Sequence, residues 1–369
     1  MSSLDVLVLG GTLYFGRAVV EELLEAGHRV TVFSRGRLRP PFWDSVEHIE
    51  GDRTDADGLV ELLGGRTFDG VIDNICYNRG EAESVVRALR GRVGRYVVAS
   101  TVSVYGEAGH AIHRHTPTRP LSDEARFAVD YRPLEPVREE DLDNSTHPWE
   151  YREGLEEYAE GKRHMERVML ESAADWPWVV VRAPSTVGPG DPSGRFAFWL
   201  TRLLDGGPML LPDGGVHATQ LGYSRDLAHF LVRLLEAGPP RTTYNYAQRE
   251  TPSLLSWLHA MAGAAGESLE ALPVPSTLLQ RHTDLPWEDW SYAPFSSTPV
   301  LMSLDRAQRE IGLDYRASLE EWMQATVDWY LEDRQRLSVA RHGEHRVAEL
   351  AIAERWQRLD ADPGSLFTG

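Results

Sequence analysis

The first 33 residues constrain the fold more than any other stretch of the chain. An apolar run of strand length, Leu4-Asp5-Val6-Leu7-Val8-Leu9, leads into Gly10-Gly11-Thr12. Helical spacing of Ala18, Val19, Leu23 and Leu24 follows, Gly27 closes it, and residues 28–33 read as a second strand. A strand, a glycine turn, a helix and a strand within about 30 residues is the setting in which helix N-terminal N–H groups approach a dinucleotide pyrophosphate. The turn Gly10-Gly11-Thr12-Leu13-Tyr14-Phe15-Gly16 is not G-x-G-x-x-G. Taken alone it fits a purely structural βα turn equally well.

The alternation continues. Residues 46–50, 70–75 and 96–100 read as strands, and residues 59–63 and 84–89 as helices. Strands alternating with helices predict an α/β fold, a Rossmann-type doubly wound parallel sheet. Ligands on such sheets sit at the carboxyl ends of the strands, where Gly10, Ser34, Asp52, Ile75 and Thr101 fall. Residues 1–182 with 217–250 are expected to form the dinucleotide-binding domain, 183–216 with 251–330 a smaller C-terminal substrate-binding lobe, and 331–369 a helical tail. Ser34-Arg35 follows the second strand, and no Asp or Glu lies between His28 and Arg39. An acidic residue there would hold the ribose 2′-hydroxyl of NAD, whereas an Arg receives the 2′-phosphate of NADP. The expectation is therefore NADP(H), with NAD(H) left open and a solvated loop cation as the plain alternative for Arg35.

Of the 38 basic residues, Lys162 is the only lysine. A chain that uses Arg wherever it needs a cation raises the question of what only a compact ammonium could do at 162. Tyr158 precedes it by four, and Leu155, Tyr158, Lys162, Met165 and Met169 share one face of a helical stretch. An ammonium beside a phenol favours the phenolate and makes Tyr a usable acid or base. The competing reading is an ordinary surface i,i+4 pair.

Charge and cysteine content exclude whole classes. The net charge of −18 opposes binding to nucleic acid or to an anionic membrane surface. Cys76 is the single cysteine, so no internal disulfide forms, and a reducing cytoplasm fits. No signal peptide is recognised at the start of the chain, and no apolar run reaches the roughly 18 residues of a membrane span.

In family order, the chain resembles the extended short-chain dehydrogenase/reductases, also called the NAD-dependent epimerase/dehydratase family. Residues 10–16 resemble its GGTxFxG turn, and Ala99-Ser100-Thr101-Val102-Ser103-Val104-Tyr105-Gly106 its S-[ST]-x-x-V-Y-G segment. Tyr158 and Lys162 match its Y-x-x-x-K, residues 182–189 its R-x-x-x-x-x-G-P loop, Ser224-Arg225-Asp226-Leu227-Ala228 its V-x-D-[VL]-A helix start, and Tyr244-Asn245 its Y-N. The resemblance implies Tyr158 as proton donor or acceptor and Lys162 as the group that holds the nicotinamide ribose. It implies Thr101, or Ser100 in a register shifted by one, on the substrate oxygen. Gly10, Thr12, Tyr14, Phe15 and Gly16 would surround the pyrophosphate. Asp52 and Arg53 would border the adenine, Ile75 the adenosine, and Pro184, Ser185 and Thr186 the nicotinamide.

Three departures matter. Leu13 replaces the middle glycine of the usual turn, and Asp73-Asn74-Ile75-Cys76-Tyr77 replaces the usual apolar-Ala-Ala. The Arg residues that clamp a sugar nucleotide are missing: His217-Ala218-Thr219-Gln220-Leu221 and Ser296-Ser297-Thr298-Pro299 stand in their regions. A diphosphate would lose its bidentate hydrogen bonds there, which favours a small or medium polar carbonyl or alcohol as substrate. The alternatives are an epimerase or dehydratase with transient oxidation, and a non-catalytic nucleotide sensor or RNA-binding relative.

Residues 107–150 read equally as a lid or a surface insertion. His110, His113 and His115 within it lack the further ligands of a metal site, and no metal is expected. Trp287, Trp290, Tyr292 and Phe295 fit an apolar pocket or plain core. Ser318-Leu319-Glu320-Glu321 is a capping box. The tail would dock on the body or on a second subunit, leaving a homodimer open.

Overall fold

In the computed structural model the chain divides into two compact units. Residues 3–105, 136–142, 155–282, 284–288, 291–296 and 300–361 are described; the insertion around His110, His113 and His115, and Trp290, lie outside them. The first unit comprises Met1–Thr186, Leu221–Gln248 and Val300–Tyr315. The second comprises Val187–Gln220, Arg249–Pro299 and Arg316–Gly369. Val300–Tyr315 thus belong to the first unit, and the C-terminal helix to the second.

The first unit is built on a seven-stranded sheet of described residues. Its strands are β1 (Asp5–Leu9), β2 (Arg29–Ser34), β3 (Glu47–Glu50), β4 (Gly70–Asp73), β5 (Tyr96–Thr101), β6 (Trp178–Ala183) and β7 (Thr242–Asn245). They run parallel in the order β7-β6-β5-β4-β1-β2-β3. The helices are α1 (Tyr14–Glu25), α2 (Ala56–Leu63), α3 (Arg79–Leu89), α4 (Leu155–Glu171) and α5 (Ser224–Ala237). The two-residue period of a strand sends alternate side chains to opposite faces. Val6, Val8, Val97, Val179 and Val181 pack with Val19, Val20 and Leu23 of α1 and Leu227, Leu231 and Leu234 of α5. Leu7, Leu9, Val98 and Val180 pack with Leu59 of α2, Val85 of α3 and Met165 and Met169 of α4. Both faces are therefore covered, which is why these strands read as unbroken apolar runs rather than alternating ones. The strand order reverses between β1 and β4, and their carboxyl ends, Leu9 and Asp73, lie side by side.

In the second unit the strand Met209–Pro212 pairs in parallel with Ala271–Val274. Helices Arg195–Asp205, Leu254–Ala265, Leu319–Glu332 and His342–Ala361 belong to it. The capping box at Ser318 forms: its hydroxyl accepts from the Glu321 N–H, and Glu321 accepts from the Ser318 N–H. The C-terminal helix docks through a fully buried ion pair, Arg202 Nη2 to Glu349 Oε1 at 2.6 Å. Arg346 adds bonds to the carbonyls of Gly206 and Pro208. Tyr292 is buried against Phe198, and half-buried Phe295 packs on Trp257. No described helix is long and apolar enough to cross a membrane.

Candidate active site

The turn after β1 is built for close approach. Gly10 adopts φ +82°, and a Cβ there would strike Ile75. A Cβ on Gly16 would collide with the Gly10 carbonyl, so the first turn of α1 can lie this near only without one. Tyr14 opens α1 at φ +54°, a conformation unusual for a side-chain-bearing residue and frequent at functional turns. Leu13, the departure from the glycine pattern, sits at φ −135°, extended backbone open to any residue. Its half-exposed side chain points to solvent.

The α1 N-terminus has no side-chain cap and no acid in its first turn. Such a helix start is suited to receive an anion. Beside it lies Asn74, 4% exposed, with neither amide nitrogen nor oxygen hydrogen-bonded to any described residue. A buried amide without partners costs free energy unless a ligand satisfies it. An uncapped helix terminus, an unsatisfied buried amide and a turn with glycine at its closest contacts fit a dinucleotide pyrophosphate. The Thr12 and Phe15 side chains are half-buried at this turn.

At the end of β2, Ser34 Oγ pairs with His48 Nε2 at 2.8 Å and accepts from the Gly36 N–H. Arg35, Arg37 and Arg39 are exposed, and Arg39 lies over the Trp43 ring. Asp52 accepts from the Thr54 N–H and hydroxyl; these bonds, with Arg35 and Arg37 nearby, hold its carboxyl below the usual range. Arg53 stands elsewhere than its sequence neighbour. Its guanidinium is buried and paired with Asp73 at 2.8 Å, and Asp73 also accepts from Tyr96 Oη and the Ile75 N–H. The resemblance implies Arg53 at the adenine; in the structure its guanidinium is held by Asp73 and the Glu81 carbonyl.

The catalytic candidates come from β5 and α4. Thr101 is buried, its hydroxyl accepting from the Ser103 N–H. Ser100, on the opposite face of the strand, donates to Glu166 at 2.6 Å. Glu166 also holds Arg182 Nη2 at 2.7 Å, and Arg182 donates to Tyr105 Oη. Ser100 thus spends its hydroxyl on Glu166 of α4, while that of Thr101 is engaged by Ser103. Lys162 is 2% exposed, and its ammonium donates to Cys76 O at 2.8 Å and Ala99 O at 2.7 Å. Burial pushes its pKa down. It lies 5.9 Å from the Tyr158 ring centre and 4.7 Å from that of Tyr77. Tyr158 itself is 39% exposed. Gly161 lets α4 rest on the Tyr77 carbonyl, which a Cβ would strike. Pro184, Ser185 and Thr186 follow β6; Ser185 O accepts from the Gly222 N–H, and the Thr186 hydroxyl donates to Pro184 O.

Asn74, Tyr77 and Glu166 escaped the sequence reading as site residues. The first two lie in the segment that departs from the apolar-Ala-Ala pattern, and that departure was their signal. No described cluster of His, Cys, Asp and Glu could hold a metal ion.

A family model described as NAD dependent epimerase/dehydratase family matches residues 6–130 and 131–247. The chain is 22% identical over 325 residues to the chloroplast stem-loop binding protein of 41 kDa b of Arabidopsis thaliana, spanning 84% of this chain and 75% of that one. It is 35% identical over 122 residues to 2′-dehydrokanamycin reductase of Streptomyces kanamyceticus, a third of either protein (33% and 34%). The crystal structure of Bordetella bronchiseptica WbmH in complex with NAD+ superimposes with TM-score 0.63 at 18% identity, covering 90% of this chain and 99% of that one.

Proposed function

Because the chain belongs to the NAD dependent epimerase/dehydratase family, with the fold of the extended short-chain dehydrogenase/reductases, we propose that it is an NADP(H)-dependent oxidoreductase. Its substrate would be a small or medium polar carbonyl or alcohol. The observation that carries this reading is Lys162: the chain's one lysine, buried, its ammonium held by two carbonyls beside Tyr158. Burying an ammonium is costly, and a packing role would be served by an apolar residue.

When bound, the nicotinamide supplies or accepts a hydride at the substrate carbon. The chain's residues handle the rest. Tyr158 gives its hydroxyl proton to the oxygen of a carbonyl being reduced, or takes it back from an alcohol being oxidised. Lys162 commits two of its three protons to Cys76 O and Ala99 O, keeping one to orient the ribose. The Thr101 hydroxyl would hold the substrate oxygen. The turn at residues 10–16, the α1 N-terminus and the Asn74 amide would hold the pyrophosphate region. The exposed run Arg35, Arg37, Arg39 at the end of β2 supports NADP(H), since it can meet a 2′-phosphate. The net charge of −18 weighs against RNA as a ligand, and the Tyr158–Lys162 pair against a silent binder.

The test is turnover of a panel of polar aldehydes, ketones and alcohols with NADPH or NADP+ and with NADH or NAD+. The expected result is stoichiometric consumption of NADPH with a carbonyl. Conversion of a sugar substrate with no net change in cofactor would instead establish an epimerase or dehydratase.

A further inference from the structure

Tyr77 has no role in the reading above, yet the catalytic lysine is built onto it. Its N–H donates to Glu81 Oε2 at 2.6 Å, and its carbonyl is pressed against Gly161 of α4. The carbonyl just before it, Cys76 O, is one of the two that receive the Lys162 ammonium. Its ring centre lies 4.7 Å from Lys162 Nζ, inside the roughly 6 Å reach of a cation–π contact, and 6.2 Å from the Tyr158 ring. As a whole residue Tyr77 is nonetheless 45% exposed, so it borders the site rather than filling a core.

An ammonium has three protons. A third carbonyl would stabilise the buried charge only by using the last one. An aromatic face stabilises the same charge without consuming a donor. We propose that Tyr77 is a positioning residue of the catalytic centre, whose ring face keeps the buried Lys162 ammonium charged and beside Tyr158 while leaving its third proton for the ligand. This rests on the Tyr158–Lys162 reading of the site. The Tyr77 hydroxyl is no second acid: burial pushes it up to about 12, so it stays protonated at working pH.

Because Lys162 is the only lysine, selective 13Cε-lysine labelling of the full chain gives one side-chain NMR signal, and its titration reads the ammonium directly. A desolvated cation–π contact is worth about 2 kcal/mol or less, so Tyr77→Leu should lower the Lys162 titration by about 1 pH unit. Tyr77→Phe and Tyr77→Trp keep a ring and should bring it back toward the native value. On a substrate identified by the panel, the alkaline limb of kcat/KM should move acidward with Tyr77→Leu and not with Tyr77→Phe. If Tyr77→Leu does not fold, Tyr77→Met removes the ring with similar volume. The proposal is overturned if the Leu or Met variant titrates as native, or if Tyr77→Phe shifts the titration as far as they do. Tyr158→Phe separates the two levels: full turnover there sinks the functional reading, while the lysine titration still judges Tyr77.

Discussion

Exchanging Lys162 for Arg is a conservative change in charge and a severe one in this structure. Elsewhere the chain uses Arg as its cation, so a site that needed only positive charge would accept it. Here the ammonium is 2% exposed and fitted between Cys76 O, Ala99 O and the Tyr77 ring. A guanidinium is longer and planar, and cannot point compact donors at both carbonyls from the same backbone position. Losing one charge-assisted hydrogen bond costs about 1.5–3 kcal/mol, and forcing extra atoms into a packed site about 1–3 kcal/mol. The sum is roughly 2.5–6 kcal/mol, a fall in melting temperature on the order of 10 °C for a unit of this size. Displacing the charge by about 1 Å costs roughly 10² in rate. Differential scanning calorimetry, dinucleotide titration and turnover on the same preparation read all three effects. Native melting together with native kinetics in Lys162→Arg would show that the fitted ammonium has no function.

Three further outcomes follow from the geometry. Gly16→Ala places a Cβ against the Gly10 carbonyl; dinucleotide affinity measured by titration should fall about 10-fold or more, the worth of a charge-assisted bond, as α1 is pushed from its place, and an unchanged Kd would remove this turn from the site. Arg35→Ala should weaken NADPH by about 10-fold or more, the worth of a charge-assisted bond, and NADH little; equal loss for both would take Arg35 off the phosphate. Glu349→Ala leaves Arg202 buried without its partner, which should destabilise the second unit by about 3–5 kcal/mol and expose the C-terminal helix to protease; native melting and native protease resistance would refute that docking role.

The local order of the first unit was legible because it is written in local signals. The apolar runs, Gly27 and the i,i+4 spacing of Tyr158 and Lys162 each concern residues near one another in sequence. What stayed hidden is long-range pairing. Nothing around Arg53 says that Asp73, twenty residues on, will take its guanidinium and turn it from an adenine contact into a buried support. The alternation of a strand puts Ser100 and Thr101 on opposite faces, but only the arrival of Glu166 decides that Ser100 is the one consumed by packing. Leu13 read as a defect in the glycine turn because the pattern records residue types and not dihedrals; at φ −135° no glycine is required. Asn74 and Tyr77 read as a departure from a family pattern, and their meaning depends on where α1 and α4 come to rest. The same holds for residues 300–315, whose place in the first unit has no marker in composition.

The central claim is that Tyr158 moves the proton in a hydride-transfer reaction at this site. It is tested most directly by comparing Tyr158→Phe with the native chain, for dinucleotide binding by titration and for turnover on a carbonyl identified by the panel. The ring packs with or without its oxygen, so the Kd for NADPH should change by no more than about 3-fold, while kcat falls by about 10²–10⁴, the usual worth of a general acid. Native kcat in Tyr158→Phe, or a native chain that binds no nicotinamide dinucleotide, would contradict the account.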